Sequence, residues 1–272
     1  MKYVLLLTTI ISFNVSFAQR RFHLHIAEAS AARITGTAFY KTVAAWKWKE
    51  RDSLAVKEIL SGNIPSFLKK FVRINTSIID SITGKKINAY YFVAPDYLSI
   101  GTDADWARIP LTPMAAQLIA DSFHCFLPTR KMVDDIYNQA TIKLEPVPMY
   151  AFRDSSVTMW QHHLIIEGQR QLRKGLIAGI KKDVVLSGLI SRYPKPNHEA
   201  IYGWHKLDGK AIQPLYIGHI NWWVDYSHGI RLVYKTIWVD GKKMDYTEVL
   251  SNPMLKRLLC DEVFCDFFRY NQ

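Results

Sequence analysis

The chain has 272 residues, of which 49% are hydrophobic and 13% aromatic, and it carries a formal net charge of +11. That apolar content excludes a disordered chain and is enough for one large packed domain. Three cysteines are too few for a disulfide framework, and the positive charge comes without a dense basic block or a basic recognition helix, so no nucleic-acid partner is expected.

In chain order, Met1-Lys2-Tyr3 leads into an apolar run interrupted by Thr8, Thr9, Ser12 and Asn14, and Ser16-Phe17-Ala18 closes it. Small residues at Ser16 and Ala18 suit signal peptidase, so the pattern predicts a signal peptide over 1–18 and an exported protein, periplasmic or secreted. The run falls short of the roughly 20 apolar residues of a spanning helix. No later stretch reaches that length, so a mature chain without a transmembrane segment is expected. Residues 19–272 are read as a single globular domain, with 22–65 as a helical N-terminal subdomain.

Residues 22–50 are Ala-rich and mostly helical in pattern, and Asp52 or Ser53 is expected to cap a second helix ending at Leu60 before Gly62 and Pro65. From Phe71 the period changes. Residues 71–79 and 87–93 are rich in β-branched and aromatic side chains and flank Thr83-Gly84-Lys85, a hairpin signal. Thr112-Pro113 predicts a capped helix to about Phe123, and Thr129 another to Gln139 with Met132, Val133, Ile136 and Tyr137 buried. A longer helix is expected over 155–172.

The last third reads as β-rich. Short strands are expected at 176–180 and 184–186, then a hairpin of 201–207 and 211–216 around Asp208-Gly209. A long strand is expected over 230–239, a turn at Asp240-Gly241, and helix again from Tyr246 until Asn252-Pro253. Helices and hairpins that segregate rather than alternate give an α+β fold with antiparallel sheet. Cys260 and Cys265 are five apart, so a bridge between them requires a helix end in the interval.

The richest chemistry lies between Tyr202 and Arg231. His205, His219, Asp225, Ser227, His228 and Arg231 fall among Trp204, Trp222 and Trp223 in a stretch bent by turns. Three imidazoles and a carboxylate (His205, His219, Asp225, His228) are ligands that suit zinc. The same residues suit acid–base chemistry, with His228 as base, Asp225 orienting an imidazole, Ser227 or Cys125 as nucleophile, and His205 and Arg231 completing the site. Arg231 would hold an anionic group, and Trp204, Trp222 and Trp223 would stack on sugar rings. Were 222–230 one continuous strand, His228 would instead share an apolar face with Trp222, Val224, Tyr226 and Ile230. His163 and Glu167, four apart on the expected long helix, share a face, and Lys181-Lys182-Asp183 interrupts an apolar strand. No Gly-rich phosphate loop, Gly-x-Ser-x-Gly, His-Glu-x-x-His or Cys-x-x-Cys motif occurs.

Ser227-His228-Gly229-Ile230-Arg231-Leu232 resembles the Ser-His-Gly-Cys-Ile-Arg-Leu signature of L,D-transpeptidases, exported enzymes that cross-link peptidoglycan. The resemblance implies His228 as base and Arg231 as a substrate-holding residue. The family's nucleophilic Cys has no counterpart between Gly229 and Ile230, so its acyl-enzyme step does not carry over. The segment 225–233, with Lys181-Lys182-Asp183-Val184-Val185 and Tyr202-Gly203-Trp204-His205, is also similar to a family of secreted bacterial proteins with no assigned activity. Together with export and charge, these features predict a hydrolase or transferase acting on an anionic envelope or extracellular polymer such as peptidoglycan, or a non-catalytic glycan-binding module.

Overall fold

The computed structural model describes residues 21–26 and 33–271. The expected signal peptide lies outside the described residues, as does the stretch 27–32. The fold is α+β, with six α-helices among the described residues and sheets that are mainly antiparallel.

The chain enters as a short strand, β1 (Arg21–His23), and helix α1 (Gly36–Thr42) follows. The helical pattern read over 22–50 is therefore realised only in part. Phe22 turns its ring onto Phe71, Phe92 and Tyr234, which draws β1 to the sheet edge despite the Ala-rich sequence around it. Helix α2 (Trp48–Leu60) starts earlier than Asp52, with Lys47 at its N-cap. Asp52 lies buried inside the helix, where it accepts from the Thr112 backbone N–H at 2.9 Å and from Arg51.

Strands β2 (Lys70–Ile79) and β3 (Lys86–Val93) pair antiparallel from Val72 to Ile79, the whole length of β3, as their alternation demands. A small hairpin follows, β4 (Ser99–Gly101) with β5 (Trp106–Arg108). Helix α3 (Pro113–Ser122) is capped by the Thr112 hydroxyl and leads to β6 (Cys125–Phe126). Helix α4 (Arg130–Gln139) is capped by Thr129 and buries Met132, Val133, Ile136 and Tyr137. After β7 (Ile142–Lys143) comes α5 (Ser156–Arg170), capped by Ser155. In each case a hydroxyl takes one of the N–H groups that the first turn leaves unpaired.

Two strands, β8 (Ile177–Ala178) and β9 (Lys182–Val185), precede a long hairpin of β10 (His198–His205) and β11 (Ala211–Ile220). Then come β12 (His228–Gly229), β13 (Val233–Tyr234), β14 (Thr236–Val239), β15 (Lys242–Asp245) and α6 (Tyr246–Ser251). The single long strand expected over 230–239 is thus divided. Its first residues lie on the loop between two sheets: Ala94 and Leu98 donate their N–H groups to the Leu232 and Ile230 carbonyls.

The larger sheet runs β1-β2-β3-β13-β6, with β14 and β15 continuing from β3, and packs against the main apolar core. The smaller sheet runs β11-β10-β9-β12, the last pair parallel. Cys260 and Cys265 form a disulfide; the helical turn Leu255–Leu258 ends before both cysteines rather than between them, and non-helical chain joins them. Cys125 is free and buried, and burial pushes its thiol pKa up. No helix among the described residues is long and apolar enough to cross a membrane.

Candidate functional site

The site is made by one face of the smaller sheet. In β10 the alternation places Glu199, Ile201 and Gly203 on the same side, and cross-strand pairing fixes their neighbours: Glu199 opposite His219, Ile201 opposite Tyr216, Gly203 opposite Gln213 and Lys182. Two register shifts let residues three apart in β11 meet residues two apart in β10, so Gln213, Tyr216 and His219 all reach one face. Pro214 is tolerated because β11 is the sheet edge. On the other side, His228 of β12 pairs with Lys182 of β9. The turn before β12 then supplies Asp225, and the loop before α5 supplies Arg153. These groups surround a cleft of about 360 Å³ lined by Arg153, Lys182, Gln213, Tyr216, His219, Trp223 and Asp225.

Beneath the cleft lies a buried chain of charges. His228 is fully buried; its Nε2 lies 2.8 Å from Glu199 Oε1, and its Nδ1 lies 3.1 Å from both Asp225 Oδ1 and the Asp225 backbone nitrogen. Burial opposes a charged imidazole, but Glu199 and Asp225 overcome it and push the His228 pKa up to about 9. Burial likewise works against the Asp225 carboxylate, but the hydrogen bond and charge of His228, with help from Ser227 and Lys182, hold it well below the usual range. Ser227 donates both its N–H, at 2.8 Å, and its hydroxyl, at 2.5 Å, to Asp225 Oδ1. Arg153 takes the other oxygen at 2.7 Å, with 42% of its own side chain exposed. Glu199 is raised by burial, which the ion pair with His228 only partly offsets.

At the surface of this chain stands His219, its ring 5.9 Å from that of His228. Partial burial and the neighbouring positive charges of His228 and Lys182 depress its pKa to about 4, so it is neutral at pH 7. Burial is also the main cause of the lowered Lys182 pKa.

The sequence candidates therefore separate. Asp225, Ser227, His228 and His219 come together, with Trp223 on the rim. Ser227 is bonded to Asp225 rather than to His228, so the two neighbours do not form a nucleophile–base pair. His205 lies on the opposite face of the sheet. Positive φ at Gly203 (110°) and Trp204 (58°) breaks the alternation, and His205 joins Tyr202 on Asp134, its Nε2 donating at 2.9 Å. Trp204 is buried beside Lys182, whose ammonium is 5.2 Å from the ring centre. Arg231 is also buried on the far side; it donates to the Ala94 and Ile177 carbonyls at 2.9 and 2.7 Å and lies over Tyr97. Trp222 is exposed next to the cleft. Among the described residues no group of three or more His, Cys, Asp or Glu is arranged to hold a metal.

His163 and Glu167 do share a face, and both meet Arg108: Glu167 at 2.8 Å, and His163 through Nδ1 at 3.5 Å. Lys181 is buried with its ammonium on the Tyr226 carbonyl, and burial lowers its pKa to about 7. Glu199, Arg153, Gln213 and Tyr216 had not been singled out from the sequence. Glu199 carried a signal, a charge in phase with Ile201 and Gly203 on a strand face; Arg153 carried none. No family model, no curated protein and no solved structure matches the chain.

Proposed function

We propose that the chain is an exported hydrolase or transferase that acts on an anionic polymer of the cell envelope or the extracellular space, peptidoglycan being the leading candidate. The observation that carries this reading is the cleft itself: a neutral histidine, two cations and an aromatic rim stand over a fully buried carboxylate–imidazolium–carboxylate chain. Burying such a chain is costly, and groups with strongly displaced pKa values concentrate at functional sites.

In this reading His219, a half-buried neutral base at the cleft, takes a proton from water or an acceptor hydroxyl as that oxygen bonds to the scissile centre, and returns it to the departing heteroatom as the old bond breaks. Arg153 and Lys182 hold an anionic substituent of the polymer, and Trp223 packs against a ring. Asp225 has both oxygens engaged, so it acts by fixing Arg153 and His228. The lining residues include no Ser, Thr or Cys, which favours direct attack over an acyl-enzyme.

The same engaged carboxylates favour one second reading, a non-catalytic glycan-binding module. Incubation with purified peptidoglycan decides between them. Release of soluble fragments, reduced about 100-fold or more in His219→Ala, supports the enzyme. Unchanged release in His219→Ala overturns the role of this residue, and saturable, salt-sensitive association without release supports the binding module.

A further inference from the structure

The eight tryptophans divide into two sets of four. Trp106, Trp160, Trp204 and Trp238 each lie against another aromatic ring. Trp46, Trp48, Trp222 and Trp223 have no such ring contact among the described residues, and all four line a single cavity of about 330 Å³. They arrive from distant parts of the chain, Trp46 and Trp48 from the start of α2 and the link before it, Trp222 and Trp223 from the turn after β11. Trp46, Trp222 and Trp223 remain 41%, 42% and 38% exposed. Indole faces left in water forgo the free energy of burial, and a concentration of them on a surface marks a binding site.

The rest of the lining is mixed, with Ala44, Ala45 and Val224 apolar and Lys47, Asp154, Ser155 and Ser156 polar. It includes Asp154 and Ser156, and Ser156 is 2% exposed with a hydroxyl that has no hydrogen-bond partner. The cavity adjoins the cationic cleft: Trp223 lines both, and the sequence neighbours Arg153 and Asp154 serve one each. Its volume falls in the range of ligand-holding clefts.

We infer that this cavity is a saccharide subsite that holds an uncharged pyranose ring of a glycan strand. The C–H faces of the ring pack on the indoles while its hydroxyls meet Asp154 and Ser156. The acidic substituent of a neighbouring unit then reaches Arg153 and Lys182. This deepens the proposed function, and rests on it, by assigning the substrate to the glycan class. A proline-rich peptide would also suit an aromatic groove, but its rings bring no hydroxyls to the Asp154 carboxylate and the Ser156 hydroxyl.

Calorimetric titration of the full chain with four neutral hexasaccharides (chitohexaose, cellohexaose, xylohexaose and maltohexaose) and with a hexaproline peptide tests the assignment. At least one hexasaccharide is expected to bind with a submillimolar Kd. Trp46→Ala and Trp222→Ala are each expected to weaken it about fivefold, and the phenylalanine variants to restore most of the loss. Both indoles are well exposed, so thermal unfolding of these variants should match the parent. No binding by any hexasaccharide, affinity unchanged in both alanine variants, or binding of hexaproline alone overturns the subsite. Tryptophan-dependent hexasaccharide binding without turnover of any polymer sinks the enzyme reading and leaves the subsite standing. Turnover that depends on His219, without hexasaccharide binding, does the reverse.

Discussion

Lys182 and Asp183 are neighbours in β9 and face opposite sides of the same sheet, and the two sides use charge differently. On the Lys182 side, charges run from Glu199 through His228 and Asp225 to Arg153, whose side chain is 42% exposed at the cleft. On the Asp183 side, the carboxylate accepts from the Tyr97 hydroxyl at 2.9 Å, and its neighbour Arg231 spends its donors on the Ala94 and Ile177 carbonyls. Burial pushes the Asp183 pKa up to about 6, with Arg231 and Tyr97 offsetting part of the rise. One network ends in a cation that solvent can reach, the other in backbone. Residue type alone does not separate a site from a scaffold; what separates them is where the last charge in the chain points.

The largest expected effect tests the open side. His228→Ala leaves Glu199 and Asp225 buried without their shared cation and should cost about 3–5 kcal/mol in denaturant unfolding. A loss under 1 kcal/mol would mean that the carboxylates take up protons without strain and the network is not held by charge. Arg231→Met should cost about 2–5 kcal/mol, because two buried carbonyls lose their donors and Asp183, 3.9 Å from Arg231 Nε, loses its cation. Turnover per folded molecule should be unchanged, so a selective loss of turnover would break the division between the two faces. Arg153→Ala should behave in the opposite way. Stability should fall by less than about 1 kcal/mol, given the exposure of the side chain, while KM for the polymer rises about tenfold.

Smaller effects come from pH. The folded pKa of His228 is raised above its ordinary value, so its contribution is complete below about pH 6.5 and fades as pH rises through about 9. The Asp225 contribution has the opposite sense, present above the ordinary carboxylate range and lost as pH falls. The difference in Tm between the parent and His228→Gln should therefore be larger at pH 6 than at pH 9.5. The subtlest test is the acid limb of kcat/KM, expected near pH 4 if His219 is the base. A limb that persists in His219→Ala would assign proton transfer to another group.

Much of the framework could be read from local chemistry. Thr112, Thr129 and Ser155 mark helix starts because a hydroxyl before an apolar period has one favourable use, and Asp208-Gly209 marks its hairpin because few residues accept that turn. The clustering of His219, Asp225 and His228 was also legible as a concentration of reactive side chains. The partners were not. Glu199 meets His228 across two strands, and Gln213 and Tyr216 reach the cleft only through bulges that alternation does not announce. His205 was drawn into the cluster by sequence distance and removed from it by the backbone at Gly203-Trp204.

The Tyr270 hydroxyl accepts from the Ala200 N–H at 2.9 Å and donates to the Val185 carbonyl at 2.7 Å, bridging β10 and β9 at the residue after Glu199. The Cys260–Cys265 bridge and the Ser187–Glu262 contact anchor the segment that carries this tyrosine. A chain is synthesised from its N-terminus, so Tyr270 emerges long after the strands it joins. Until it arrives, β9 and β10 are held to each other by their own ladder alone, without the phenol that ties Ala200 to Val185.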